Sequence, residues 1–299
     1  MRTYAKPSQS LATPGRTLRI VFVAACAFLC YQETKIVTYH SDIVRKKFLD
    51  KVYQPLRHWF LNDVERIVVT TPNYLPGSPL LNQFPDKTEA VTYGLDKDIY
   101  PQPASELLAK WRERFTGRFF LFVGVLRYYK GLHILLEAVA DTDMSVVIVG
   151  DGPEAAALKQ QASDLQMGNV HFLGALPEAD KVALLSLCYG VVFPSHLRSE
   201  AFGISLLEAA MYAKPMISSE IEIGSTYVNI ADETGLVVPP EDVFALRAAM
   251  NRLWDKPGLA AQMGNFAQKR CQTIFTAEMM AKNYVRLYVD VISGNTKEP

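Results

Sequence analysis

The sequence predicts an α/β protein built on parallel sheets. Two observations carry this reading. Short apolar runs recur along the chain from residue 34 onward, and helical patterns alternate with them. In the second half these runs are apolar on both faces, as strands covered on both sides must be, and the helices between them are the crossovers that a parallel sheet requires. A chain of 299 residues also leads to about two domains, at roughly 150 residues each.

Each element follows from the same logic. Residues 35–39 (KIVTY) read as a short strand, and 49–61 carry a helical apolar stripe interrupted at Pro55. A second strand spans 66–70 and ends at the turn Thr71-Pro72-Asn73; a third spans 90–93 and is closed by Gly94. Residues 96–116 are polar and contain proline, which reads as a linker between domains. Beyond it come strands at 119–124, 145–150, 170–173, 190–194, 215–218 and 236–238. Helices fall between them, from Gly131, over 153–165, from Ala179 and over 203–213. Helices at 242–253, 258–275 and 277–292 close the chain, and a tail at 293–299 should fray. The expected division is 1–97, 98–276 and 277–299, the last a helix crossing back to the first domain.

Composition narrows the function classes. Lys+Arg and Asp+Glu are both 31, so the basic excess typical of proteins that grip nucleic acid is missing, and no nucleic-acid partner is expected. Cys26, Cys30 and Cys188 lie in apolar patterns, without metal-ligand spacing to histidine, and read as buried free thiols. The apolar stretch 20–31 is shorter than the roughly 20 residues of a spanning helix. Arg16 and Arg19 precede it as in a signal sequence, but no small-x-small cleavage pattern follows, so a core element is expected.

Ligands of open parallel sheets bind outside the carboxyl ends of the strands, and four polar clusters sit at such ends. The first runs from Gly124 to Gly131; Arg127 and Lys130 could neutralise an anion there, or simply be solvated loop cations. The second, Gly150-Asp151-Gly152-Pro153, suits a tight turn into a helix. In the third, Glu200 precedes a helix and Glu208 lies about two turns inside it, with Gly203 letting a ligand approach free backbone N–H groups. Glu208 is followed by Ala209 and Ala210, so it is either packed and paired, accepts hydroxyl hydrogen bonds from a ligand, or is an ordinary exposed helical glutamate. The fourth is the segment 170–181, with Lys181 near backbone that could read a base edge; His171 there reads as a satisfied strand histidine.

Taken in order, these motifs resemble those of the retaining GT-B glycosyltransferases of the large family-four group. Glu200-x7-Glu208 matches that family's signature. Lys130-Gly131, Gly150 to Pro153, Leu173-Gly174 and the strand 235–239 match in order and spacing, over residues 115–292. The resemblance implies two Rossmann-like domains with parallel sheets, the N-terminal one incomplete. It implies that Arg127 and Lys130 hold a donor diphosphate, Glu200 the donor-sugar hydroxyls, and Glu208 the ribose. Gly124, the N–H groups of Phe202, Gly203 and Ile204, and a base border of Leu173, Gly174 and Leu176 complete the donor side. Where many members carry arginine directly after the first glycine, this chain has Val125, and Arg127 keeps the same side of an extended strand.

The segments 40–47 (HSDIVRKK) and 71–81 (TPNYLPGSPLL) resemble O-antigen mannosyl- and rhamnosyltransferases. They place His40, Ser41 and Asp42 on the acceptor side. The implied reaction is retaining transfer of mannose or rhamnose from a nucleotide-diphosphate sugar, GDP-linked, to a lipid-linked saccharide, with no metal and no cofactor. A cytoplasmic protein is expected, peripheral at the inner face of the membrane. Arg45, Lys46, Lys47, Lys51, Arg57 and His58 beside Phe48, Trp59 and Phe60 could rest there on anionic lipid. Residues 1–34 differ from the family's opening, so the chain reads as truncated, and its second reading is a remnant that binds nucleotide sugar without transferring it.

Overall fold

The computed structural model describes residues 34–40, 47–200, 202–221 and 224–294, with side chains excepted at 47–52. The stretch 20–31, Cys26, Cys30, Ser41, Asp42, Arg45 and Lys46 lie outside the described residues. Two parallel sheets organise the part from Ile36 on. The smaller contains β1 (Ile36–Tyr39), β2 (Arg66–Val69) and β3 (Thr88–Ala90), side by side in that order. Helix α1 (Lys47–Asp63) links the first two strands and runs through Pro55 instead of breaking there. Pro55 is exposed, so water can satisfy the carbonyl left without a donor. The third strand lies earlier than its apolar pattern predicts. Thr88, Glu89 and Ala90 pair with Ile67, Val68 and Val69, and the chain leaves the ladder after one further bond, from Val91 N–H to Val69 O.

The segment read as a linker holds a helix. α2 (Ser105–Arg114) has Glu106 in its first turn and Arg112 and Arg114 in its last, each sign complementing the helix dipole. Its polar composition hid it, yet it buries Trp111 to 2% exposure. The indole stacks on Phe115, and its Nε1–H donates to Asp180 at 2.9 Å. Trp111→Phe keeps most of the packing and leaves Asp180 without this donor. It is expected to cost about 1–2 kcal/mol, read as a lower urea midpoint.

The larger sheet has the strand order β6-β5-β4-β7-β8-β9, all parallel. These are β4 (Phe119–Val123), β5 (Ser145–Val149), β6 (Val170–Gly174), β7 (Gly190–Phe193), β8 (Met216–Ser219) and β9 (Gly235–Val238). Alternate residues serve two cores. Phe120, Phe122, Val146, Ile148 and Val192 face α3 (Leu132–Val139), α4 (Ala155–Asp164) and α8 (Val243–Asp255). Leu121, Val147, Val191 and Phe193 face α5 (Glu178–Leu187), α6 (Ile204–Met211) and α9 (Pro257–Ile274). A five-residue helix, α7 (Gly224–Val228), follows β8 and carried no sequence pattern. Cys188 and Cys271 are free and buried, and burial pushes the Cys188 thiol up to about 12, so it is inert at neutral pH.

The last helix, α10 (Ala277–Ile292), packs on the smaller sheet. Leu287 is buried with Val68 and Val91, and Arg286 pairs with Glu89. Beside it the chain's two passages between the sheets touch. Leu95 N–H donates to Phe275 O at 2.9 Å, and Ala277 N–H to Leu95 O at 3.2 Å. A Cβ on Gly94 would lie 2.0 Å from the Thr276 carbonyl oxygen, so glycine is needed for this contact. Among the described residues no helix is long and apolar enough to cross a membrane.

Candidate active site

The strand order reverses between β4 and β7, since β5 lies on one side of this pair and β8 on the other. Such a switch point opens a crevice beyond the strand ends. Here the loops that follow β4 and β7 meet. Gly131 adopts φ 69°, and a Cβ there would stand 2.0 Å from the Pro194 carbonyl oxygen. His196 N–H donates to Tyr129 O at 3.0 Å. This close approach delivers Lys130 to Glu200, Nζ to Oε2, at 2.5 Å, and the Ser195 hydroxyl donates to the same oxygen at 3.3 Å. Glu200 is 7% exposed, and the ammonium lies 4.8 Å from the Phe193 ring centre, a contact that suits a desolvated cation. Glu200 Oε1 has no hydrogen-bond partner among the described residues. Burial, then the Glu200 charge, raises the pKa of Tyr129.

Gly203, at φ 91°, turns the chain into α6. Phe202 before it is buried edge-on against Tyr93, 5.0 Å between ring centres. Glu208 lies on the second turn and is 5% exposed, which removes the reading of an ordinary surface glutamate. Its Oε1 accepts from Lys181 Nζ at 2.6 Å and from the Tyr100 hydroxyl at 3.0 Å, while Oε2 has no partner among the described residues. Lys181 also pairs with Glu178 at 2.7 Å. Burial alone would lower the Lys181 pKa, but its bonds to Glu178 and Glu208 outweigh that and raise it. Burial and then the neighbouring Glu208 carboxylate push the Tyr100 hydroxyl well above its ordinary value, so it stays a donor at any working pH.

The remaining residues singled out in the sequence spread around this centre. Gly124 follows β4, half-buried, and Arg127 is exposed in the same loop. Ile204 is 49% exposed at the start of α6. Leu173 and Leu176 pack partly on the core, and Gly174 ends β6 at φ 70° with open space beside it. His171 is half-buried, 5.1 Å from the Phe115 ring centre, as a structural histidine would be. His40, at the end of β1, is exposed; its Nδ1 lies 2.9 Å from the Tyr93 hydroxyl. Tyr100 and Ser195 were not picked out in the sequence. Cavities of about 310 Å³ beside Leu95 and Thr276 and about 440 Å³ beside Gly168 and Phe172 contain none of Lys130, Glu200 and Glu208. The charge arrangement marks the site better than those voids do.

Comparison with known proteins bears on this geometry. The family model described as glycosyl transferases group 1 matches residues 105–270. The D-rhamnosyltransferase WbpZ of Pseudomonas aeruginosa is 60% identical over 242 residues, 81% of this chain and 64% of that protein. The chain therefore spans a little under two thirds of that relative's length. The O-antigen chain mannosyltransferase C of Escherichia coli is 47% identical over 262 residues, 87% of this chain and 70% of the relative. Among solved structures, the sucrose-phosphate synthase of Thermosynechococcus elongatus superposes with a TM-score of 0.80 at 23% identity, covering 92% of this chain and 72% of the other. Anabaena HepE in complex with UDP and glucose gives 0.78 at 18% identity, covering 91% and 75%.

Proposed function

This chain belongs to the group 1 glycosyl transferases, and we propose that it moves mannose or rhamnose from a GDP-linked donor to a lipid-linked saccharide in O-antigen synthesis. Its fold is GT-B. The observation that carries the reading is the pair of nearly buried glutamates beside the switch point. Each has one oxygen held by a lysine and the other open. A carboxylate oxygen fixed in that way is a ready acceptor for the hydroxyls of a sugar or ribose. The names of the rhamnosyl- and mannosyltransferase relatives support the sugar class. A fold neighbour solved with UDP and glucose supports a nucleotide-sugar donor. The guanine base rests on the family resemblance.

In this scheme residues 98–276 form the donor lobe. Lys130 and Arg127 hold the diphosphate, Glu200 the donor-sugar hydroxyls, and Glu208 the ribose. The backbone N–H groups of Phe202, Gly203 and Ile204 position sugar and phosphate, Gly124 leaves room for them, and Leu173, Gly174 and Leu176 border the base. His40 faces the acceptor. The anomeric C–O bond to the diphosphate breaks, and the acceptor hydroxyl oxygen bonds the same carbon from the same face. The hydroxyl proton leaves with the diphosphate. Stabilising the charge that grows on the leaving group is the main catalytic effect asked of the protein. Trp59, 40% exposed on α1, supports contact with a membrane surface.

Calorimetry with GDP-mannose, GDP-rhamnose, UDP-glucose and ADP-glucose tests the donor. Heat is expected for a GDP sugar. A natively folded protein giving no heat with any of the four would overturn the reading, and binding without transfer to any acceptor would mark a remnant.

A further inference from the structure

We infer that Tyr100 is a positioning residue of the nucleoside site, fixing Glu208 so that its open oxygen receives the donor's ribose. The inference rests on the assignment of Glu208 to the ribose. Tyr100 belongs to the segment between the two sheets and lies 108 positions from Glu208 in sequence. Its place is set by backbone. Leu95 is bonded to Phe275 and Ala277, and Asp96 caps the short turn Lys97–Ile99 through Asp98 N–H at 2.9 Å. Tyr100 follows directly.

Tyr100 and Lys181 converge on the same oxygen of Glu208, at 3.0 and 2.6 Å. Two donors from different directions settle the carboxylate's rotation, whereas one flexible lysine would let it swing. Lys181 is itself divided between Glu208 and Glu178, so the tyrosine is the donor devoted to Glu208. What remains is Oε2, which has no partner among the described residues on a side chain that is almost wholly buried. A ribose hydroxyl is a donor that fits one fixed acceptor oxygen of this kind, and a 2′-deoxyribose offers one hydroxyl fewer. Tyr100 therefore acts through Glu208 on the preference for ribonucleotides. Tyr212 lies one turn beyond Glu208, and its buried hydroxyl has no hydrogen-bond partner among the described residues, so it supplies a matched control.

The experiment measures calorimetric affinities of GDP and 2′-deoxy-GDP for the wild type, Tyr100→Phe, Glu208→Gln and Tyr212→Phe. The same pairs of UDP and ADP are used where GDP gives no heat. The wild type should prefer the ribonucleotide. Tyr100→Phe should shrink that preference by about 5- to 10-fold, the range for losing one net intramolecular hydrogen bond, with deoxynucleotide affinity falling less. Tyr212→Phe should leave it intact. If Glu208→Gln abolishes the preference and Tyr100→Phe does not, the inference about Tyr100 fails and the ribose assignment stands. If Glu208→Gln keeps the preference, or the folded wild type binds no nucleotide, the assignment falls and the inference with it. Equal weakening of both nucleotides by Tyr100→Phe, or the same shift in Tyr212→Phe, would reduce Tyr100 to a packing role.

Discussion

Lys130→Ala is expected to cut sugar transfer by about a hundred- to a thousand-fold, the usual loss when one preorganised charge or donor is removed from a transition-state site. The lysine is held where such a charge is most effective. Its side chain is 12% exposed, its ammonium lies over Phe193, and the loop carrying it is pinned to the end of β7. The ammonium is bonded to Glu200, so under the proposed assignment donor binding exchanges that partner for the diphosphate or shares it. The variant loses the cation and also leaves Glu200, nearly buried, with Ser195 as its remaining donor at 3.3 Å. Its affinity for the donor sugar should therefore fall together with turnover. Lys130→Arg should not restore the rate, because a planar guanidinium does not fit where a compact ammonium sits between carboxylate and ring. Initial rates at saturating donor, with an unfolding midpoint for each variant, decide the matter. Wild-type turnover in a folded Lys130→Ala protein would remove the lysine from the mechanism.

Gly131→Ala should be the most damaging single-methyl change in this loop. The residue sits at φ 69°, a conformation that costs an L-residue about 1–2 kcal/mol, and its Cβ would be 2.0 Å from a backbone carbonyl oxygen. A backbone atom cannot rotate away as a side chain can, so the β4 and β7 loops must part, and Lys130 moves with them. A total loss above about 3 kcal/mol is expected once overpacking is added to the conformational cost. Gly174→Ala separates the two contributions. It has nearly the same φ, 70°, but nothing within 4 Å of the added Cβ, so it should show the conformational cost alone. Urea denaturation of the two variants gives the difference directly, and equal losses would refute the steric argument.

The larger sheet could be read closely from sequence because its strands carry no charge and all but β8 end at a glycine or proline. The difficulties came where composition and burial part ways. In α2 one fully buried side chain, Trp111, anchors an otherwise charged helix, and only its spacing to Leu107 and Leu108 hinted at a face. In β3 the residues that pair are Thr, Glu and Ala, and the apolar residues just after them lie beyond the ladder. Helix α7 is too short to show a stripe. At the candidate site, the spacing of Glu200 and Glu208 and the Lys130-Gly131 step were visible locally. The partners of those groups were not, because Lys130 meets Glu200 across 70 positions and Tyr100 meets Glu208 across 108. The first pairing is made by strand order and the second by the seam at Leu95, and no local pattern encodes either.

The stitched seam at Leu95 and Thr276 has a consequence for the integrity of the molecule. The polypeptide leaves the smaller sheet once and returns to it as α10, which is embedded there through Leu287. A single proteolytic nick between residues 100 and 105 would cut a covalent tie without separating the halves, since the returning helix still clasps the first sheet. The nicked protein would migrate as one particle until denatured, and the same cut marks where the gene could be divided into two complementing fragments.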